Sequence, residues 1–229
     1  MARAVRASDF KLYSMLSEPS FSPDGKEVAF SVRRANLEED AYDSDVFVAD
    51  LLKGSVLPFT TGKKDSDPKW SPGGDSILFL SRRNLKKDDK GNALYVISAE
   101  GGEARLLRRA EEGVENPQWG PDSGSIYFLS YVVKKSKDDV KVIRRPTFWF
   151  NGVGFTFDRR KHLFRLEVES GKVTQMTGGS FDISDFSVSY DGRKVAYLAS
   201  IDDMRPYISD VFVMDLATKK KKKLTKSNM

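Results

Sequence analysis

The sequence predicts an all-β protein: a β-propeller built from four-stranded antiparallel blades, with four blades visible. Three observations lead there. A phrase of Ser, Pro, Asp and Gly followed by a short apolar run occurs four times, and a second strand-like run returns in step with it. No segment carries a convincing 3.6-residue apolar period, which argues against helical repeats.

The phrase first appears as FSPDGKEVAFS, Phe21 to Ser31. Pro23 presets φ for the second turn position, Asp24 tolerates the third, and Gly25 takes the fourth, where φ > 0 is often needed. Val28, Ala29 and Phe30 then read as an apolar strand. Equivalent phrases start at Pro19, Pro68 and Pro117, a spacing of 49 residues, and the fourth starts at Phe186, delayed by an insertion of about 20 residues. The companion runs are SDVFVAD (Ser44 to Asp50), NALYVIS (Asn92 to Ser98), HLFRLEV (His162 to Val168) and SDVFVMD (Ser209 to Asp215), rich in the β-branched and aromatic residues of strands. Turns follow at Lys53-Gly54, Gly101-Gly102, Ser170-Gly171 and Thr218-Lys219, each ahead of a last short strand.

A four-stranded meander cannot bury both faces alone, and radial stacking of such sheets solves that problem. The expected organisation is an N-terminal segment 1–18 and propeller blades over 19–229, divided at about 19–66, 67–115, 116–180 and 181–229, with an insertion at about 131–161. Four blades are few for a ring. A small closed ring, a pair of copies, or the first part of a longer protein would each complete it, and the third is the expectation.

Composition narrows the function classes. The chain has 229 residues, 39% hydrophobic and 31% charged, as in soluble globular proteins. It has no cysteine, which excludes disulfides, thiolate catalysis and thiolate-bound metal. Two glutamines beside abundant charged residues suggest a heat-adapted source. No apolar run reaches the roughly 18 residues of a membrane helix, and MARAVRASDFKLYSMLSE lacks a secretory apolar stretch, so a cytoplasmic protein without a membrane partner is expected. The formal charge of +5 resides in Lys219 to Lys223; without those five the 33 remaining basic groups equal the 33 acidic ones. A lysine-rich edge strand explains the run, and nucleic acid is not an expected partner.

The F-S-P-D-G-x-x-[VI]-[AL]-F pattern with D-[VL]-[FY]-V-x-[DS] resembles the propeller repeat shared by TolB and the prolyl oligopeptidase family. The segment VIRRPTFWFNGVGFTFDRRKHLFRLEVESGKV, Val142 to Val173, is similar to the acylaminoacyl-peptidase branch of that family. The resemblance covers roughly residues 10 to 225. It implies the N-terminal, non-catalytic propeller portion of a serine peptidase, gating the access of short peptides to an α/β-hydrolase domain. It also implies that domain, or another protein, as partner. A stand-alone TolB-like interaction module is the alternative.

No catalytic residue is assigned to the chain itself. TGGSFD, Thr177 to Asp182, lacks the second glycine of a G-x-S-x-G nucleophile elbow and reads as a turn between blades. His162, the one histidine, follows Arg159, Arg160 and Lys161 and reads as a partly exposed residue at a strand start, its basicity lowered by those cations. One histidine with no cysteine leaves no metal site and no cofactor to expect.

The insertion supplies the candidate contact residues. KKSKDDVK reads as a hairpin tip, and RRPTFWFNGVGFTF crowds Phe148, Trp149, Phe150, Phe155 and Phe157 beside Arg144 and Arg145, with Gly152 and Gly154 permitting a bend. Such a cluster is either core beneath a long loop or a recognition surface. On the second reading Arg144, Arg145, Phe148, Trp149, Phe150 and Phe155 contact a hydrolase domain or its substrate, and the arginines meet a peptide carboxylate. RRANLEEDAYD (Arg33 to Asp43) and RRNLKKDDKGN (Arg82 to Asn92) read as solvated tips between second and third strands. The recurring Asp24, Asp122 and Asp191 read as turn residues.

Overall fold

The computed structural model describes residues 4–85, 91–134, 140, 142–143, 145–146, 148–150 and 154–226. The chain divides into two compact units, Met1–Trp119 and Gly120–Met229. In the first, a 3-10 helix, Ala7–Leu12, leads into β1 (Ser14–Phe21), β2 (Glu27–Asn36), β3 (Ala41–Asp50) and β4 (Ser55–Pro58). These pair in chain order as an antiparallel sheet. β5 (Asp65–Trp70), β6 (Ser76–Ser81), β7 (Ala93–Ser98) and β8 (Arg105–Arg108) repeat the order, and β9 (Glu115–Trp119) follows.

The second unit holds β10 (Ser125–Val133), the two-residue strands β11 (Trp149–Phe150) and β12 (Gly154–Phe155), β13 (Arg159–Glu167) and β14 (Val173–Gln175). The third sheet has the order β14-β13-β10-β9. β15 (Asp182–Val188), β16 (Lys194–Ser200), β17 (Asp210–Asp215) and β18 (Lys221–Lys223) form the fourth. These four sheets are the four-stranded antiparallel blades of a β-propeller. β1 starts ahead of Pro19, and β10 and β13 take up both ends of the 131–161 stretch, because their ladder runs unbroken from Ser125↔Glu167 to Val133↔Arg159.

The recurring phrase closes one turn in every blade. In the first, Gly25 N–H donates to Ser22 O (2.9 Å) with Gly25 at φ 70, and the Ser22 hydroxyl donates to Asp24 (2.8 Å) while accepting from Glu27 N–H (2.9 Å). Ser71 and Ser189 do the same in blades two and four, donating to Asp75 (2.8 Å) and Asp191 (2.7 Å). Blade three has Gly120 at that serine's position, and Ser125 supplies the hydroxyl from the other side, donating to Asp122 at 3.0 Å. A Cβ on Gly120 would sit 2.3 Å from that hydroxyl oxygen, so the glycine and Ser125 are a matched exchange. Asp24, Asp122 and Asp191 also accept main-chain N–H groups, of Lys26, Gly124 and Arg193, as turn carboxylates do.

Each sheet carries one aromatic pair directly across its central strands: Phe30 with Phe47, Phe79 with Tyr95, Phe128 with Phe164, and Tyr197 with Phe212. The last three are stacked at centroid distances of 5.7, 5.5 and 5.5 Å. Such pairs add about 0.5–1.5 kcal/mol beyond the area they bury. Within the first unit, Phe79 and Tyr95 cluster with Ala29 and Val46 of the preceding sheet, around Trp70, Ile77 and Ile97. In the second, Tyr127, Leu129 and Leu163 cluster with Val195, Tyr197 and Met214. Large rings on one sheet thus meet smaller side chains on another.

First strands carry a bulge where the phrase begins. Glu18 (φ 56) and Asp67 (φ 53) precede Pro19 and Pro68, and the registers of β1 and β5 shift there. The two bulges are joined: Glu18 Oε2 accepts from the Ser31 hydroxyl (2.7 Å) and from Asp67 N–H (2.8 Å). The C-terminal lysines form the edge strand β18, all exposed, with Lys223 paired to buried Asp210 at 2.5 Å.

Candidate functional site

The insertion folds around a small hairpin. Trp149 pairs with Phe155 and Phe150 with Gly154, and Thr156 N–H donates to Phe148 O at 2.8 Å. Gly154, at φ 79, opens β12 in a conformation that side-chain-bearing residues avoid. Phe148, Trp149 and Phe155 are 39%, 53% and 49% exposed, so these rings are surface, not core. Trp149 and Phe155 share one face of the hairpin as cross-strand partners. Phe155 meets Phe157 edge-on at 5.8 Å. The main chain of Phe150 is part of this ladder; Arg144, Gly152 and most of KKSKDDVK lie outside the described residues.

Arg145 departs from the expectation of a carboxylate-binding surface arginine. Its side chain is only 9% exposed and its guanidinium donates to Asp182 (3.0 Å), to Arg159 O (3.2 Å) and to Thr156 O. Arg160 joins it on Asp182 (2.9 Å) and forks onto both oxygens of Asp203 at 2.7 Å each. Lys161 N–H completes the set, donating to Asp182 at 2.9 Å. These bonds pull the Asp203 carboxyl below its usual range, the Arg160 contact foremost, and raise the basicity of Arg160. Arg145 and Arg160 therefore fasten the hairpin's base to the strand and loop of the fourth sheet. Asp182, Asp203 and Arg160 escape sequence reasoning because the partners stand 22 and 43 residues apart with no motif between them.

His162 corrects a second expectation. It lies within β13 and is 2% exposed, because the β10–β13 ladder extends past it rather than ending there. Phe181 stands edge-on to its ring at 5.3 Å, and the Thr177 hydroxyl lies 3.4 Å from Nδ1. Burial is the main cause of its lowered basicity; the nearby cations Lys221 and Arg160 are lesser ones, offset by a main-chain bond to Gly179 and by Asp182. A substrate cannot reach this imidazole. Ser180 lies in the bend between β14 and β15. Among the described residues no group of three or more His, Asp or Glu side chains is placed to hold a metal ion, and no helix is long and apolar enough to cross a membrane.

Four-stranded meanders repeated along the chain, with turn chemistry and aromatic pairs in common, define the class: this is a β-propeller protein. No family model matches the sequence. It is 30% identical to the uncharacterized peptidase YuxL of Bacillus subtilis over 231 aligned positions, covering 93% of this chain and 34% of that protein. The acylaminoacyl peptidase of Pyrococcus horikoshii superposes with a TM-score of 0.74 at 20% identity, over 95% of this chain and 33% of that one. TolB of Acinetobacter baumannii superposes with a TM-score of 0.63 at 18% identity, over 94% of this chain and 45% of that one. The resemblance read from the repeats is thus met from two directions, one in sequence and one in fold. The chain spans about a third of the length of the curated relative it matches.

Proposed function

We propose that the chain is the propeller portion of a serine peptidase of the acylaminoacyl-peptidase kind, a scaffold that regulates the passage of short peptides to an α/β-hydrolase domain. The observation carrying this reading is the alignment with a peptidase along 93% of the chain. It is supported by the better superposition on an acylaminoacyl peptidase than on TolB. In this reading the exposed Phe148, Trp149 and Phe155 meet the hydrolase domain or line the route to its active site. Their half-exposed rings supply apolar contact area, and the ion pairs beneath hold them in place. Arg145 acts in that reading as a positioning residue. The chemistry belongs to the hydrolase domain, whose nucleophile would sit on a G-x-S-x-G turn.

The test is to read the source gene in frame through and beyond the codon for Met229. A continuation that encodes a G-x-S-x-G turn supports the proposal. A stop codon directly after Met229 contradicts it in this form. That outcome favours the second reading, a TolB-like interaction module, to which the superposition on TolB lends support.

A further inference from the structure

The first unit contains an open cleft of about 690 Å³, walled by the middle of β1 and β2, the start of β3, and residues within or beside β5, β6 and β7. Arg33, Lys64 and Arg82 line it, and all three are exposed. The Arg33 guanidinium lies over the ring of Tyr42 at 4.0 Å, which orients it without neutralising it. Among the described residues none of the three cations is paired with a carboxylate.

The carboxylates nearby are occupied. Glu18, on the cleft wall, is held by the Ser31 hydroxyl and by Asp67 N–H, neither of which carries a charge. Asp67 pairs with Lys69 at 2.6 Å, Asp43 with Lys63 at 3.8 Å, and Asp65 with Arg83. Among the described residues, three cations thus share one cleft with a single carboxylate, that of Glu18, and the positive charge left over is relieved by an anion. The wall also carries the hydroxyl side chains of Ser17 and Ser66.

We infer that this cleft is a binding site for an oxyanion. Two forked guanidinium groups and an ammonium group match a carboxylate or phosphate in charge and in the kind of donor they present. The volume falls within the roughly 300–1,000 Å³ of small-ligand sites and admits a group larger than a bare ion. The oxyanion is borne either by a short acidic peptide or by a phosphate. The inference holds whether or not the chain serves a peptidase.

The experiment is calorimetric titration of the 229-residue chain at low ionic strength. Four probes are used: inorganic phosphate, acetyl-Ala-Glu-amide, Ala-Ala with a free carboxyl end, and the neutral acetyl-Ala-Gln-amide. At least one of the three oxyanion probes should bind saturably, and which of them does so identifies the source; the neutral peptide should not bind. Arg82→Gln and Lys64→Gln should each weaken that binding roughly tenfold, the low end for a charge-assisted hydrogen bond. Lys222→Gln, an equal charge loss on the exposed edge strand β18, should leave it unchanged. Among the described residues neither Arg82 nor Lys64 has an ion-pair or ring contact to lose, so both variants should fold. Absence of saturation by all three oxyanion probes overturns the inference. So does an equal weakening by Lys222→Gln, which would reduce the effect to net charge.

Discussion

Ser123 sits at φ 53, where blades one, two and four place Gly25, Gly74 and Gly192 at φ 70, 77 and 66. A side chain there is strained by about 1–2 kcal/mol, part of which glycine returns as unfolded-chain entropy. Ser123→Gly should therefore stabilise the chain by about 0.5–1 kcal/mol, seen as a rise in Tm of about 1–4 °C. At Asp24 the Ser22 hydroxyl, then the main-chain N–H of Lys26, lower the carboxyl from 3.8 to about 2. Asp191 is lowered the same way, by Ser189 first. A carboxylate with a depressed folded-state pKa adds stability above its unfolded value, and that stability is lost as pH falls from about 4 through about 2. The Tm of the protein should drop across that window, and Asp24→Asn should flatten the drop. His162 behaves with the opposite chemistry: burial favours its neutral form, so folding becomes less favourable as pH falls below its ordinary 6.5. The single imidazole gives one set of NMR ring signals, and their titration midpoint should lie below 6.5.

At the scale of elements, the insertion hairpin has short strands and exposed rings, and depends on the ion pairs at its base. Arg160→Ala removes the fork on Asp203 and one of two guanidinium contacts on Asp182. Because Asp203 is 40% exposed, the loss should be about 1–2 kcal/mol rather than the 3–5 kcal/mol of a fully buried pair. Limited proteolysis should then cut the 134–158 stretch faster while sparing the sheets, and an unchanged cutting rate would refute the anchoring role. The repeated turn and the companion strands were legible in the sequence because their chemistry is local: Pro, Asp and Gly at adjacent positions dictate a turn by themselves. The aromatic insertion was legible by composition alone, which left core and surface both open for Trp149 and Phe155. The Arg145–Asp182–Arg160–Asp203 set and the Glu18–Asp67 link were not legible, because each joins different blades and nothing local marks the partner. His162 was misplaced for a related reason, since its burial follows from a nine-residue ladder that extends into a stretch read as insertion.

At the scale of the whole molecule, sheets with one bulky aromatic face and one face of smaller residues bury their rings on a neighbouring sheet. Phe79→Ala removes a fully buried ring shared by two sheets and should cost about 3–5 kcal/mol, a loss visible in thermal melts. Among the described residues no serine stands beside an accessible imidazole: the one histidine ring is buried against Thr177 and Phe181. The most direct test of the proposal that the chain is a scaffold without its own chemistry is hydrolysis of acetyl-alanine p-nitroanilide by the purified 229-residue chain, with labelling by a serine-reactive fluorophosphonate alongside. The expected result is no turnover above buffer and no labelled band. Turnover that co-purifies with the chain, together with a labelled serine in it, would contradict the assignment of catalysis to a separate hydrolase domain.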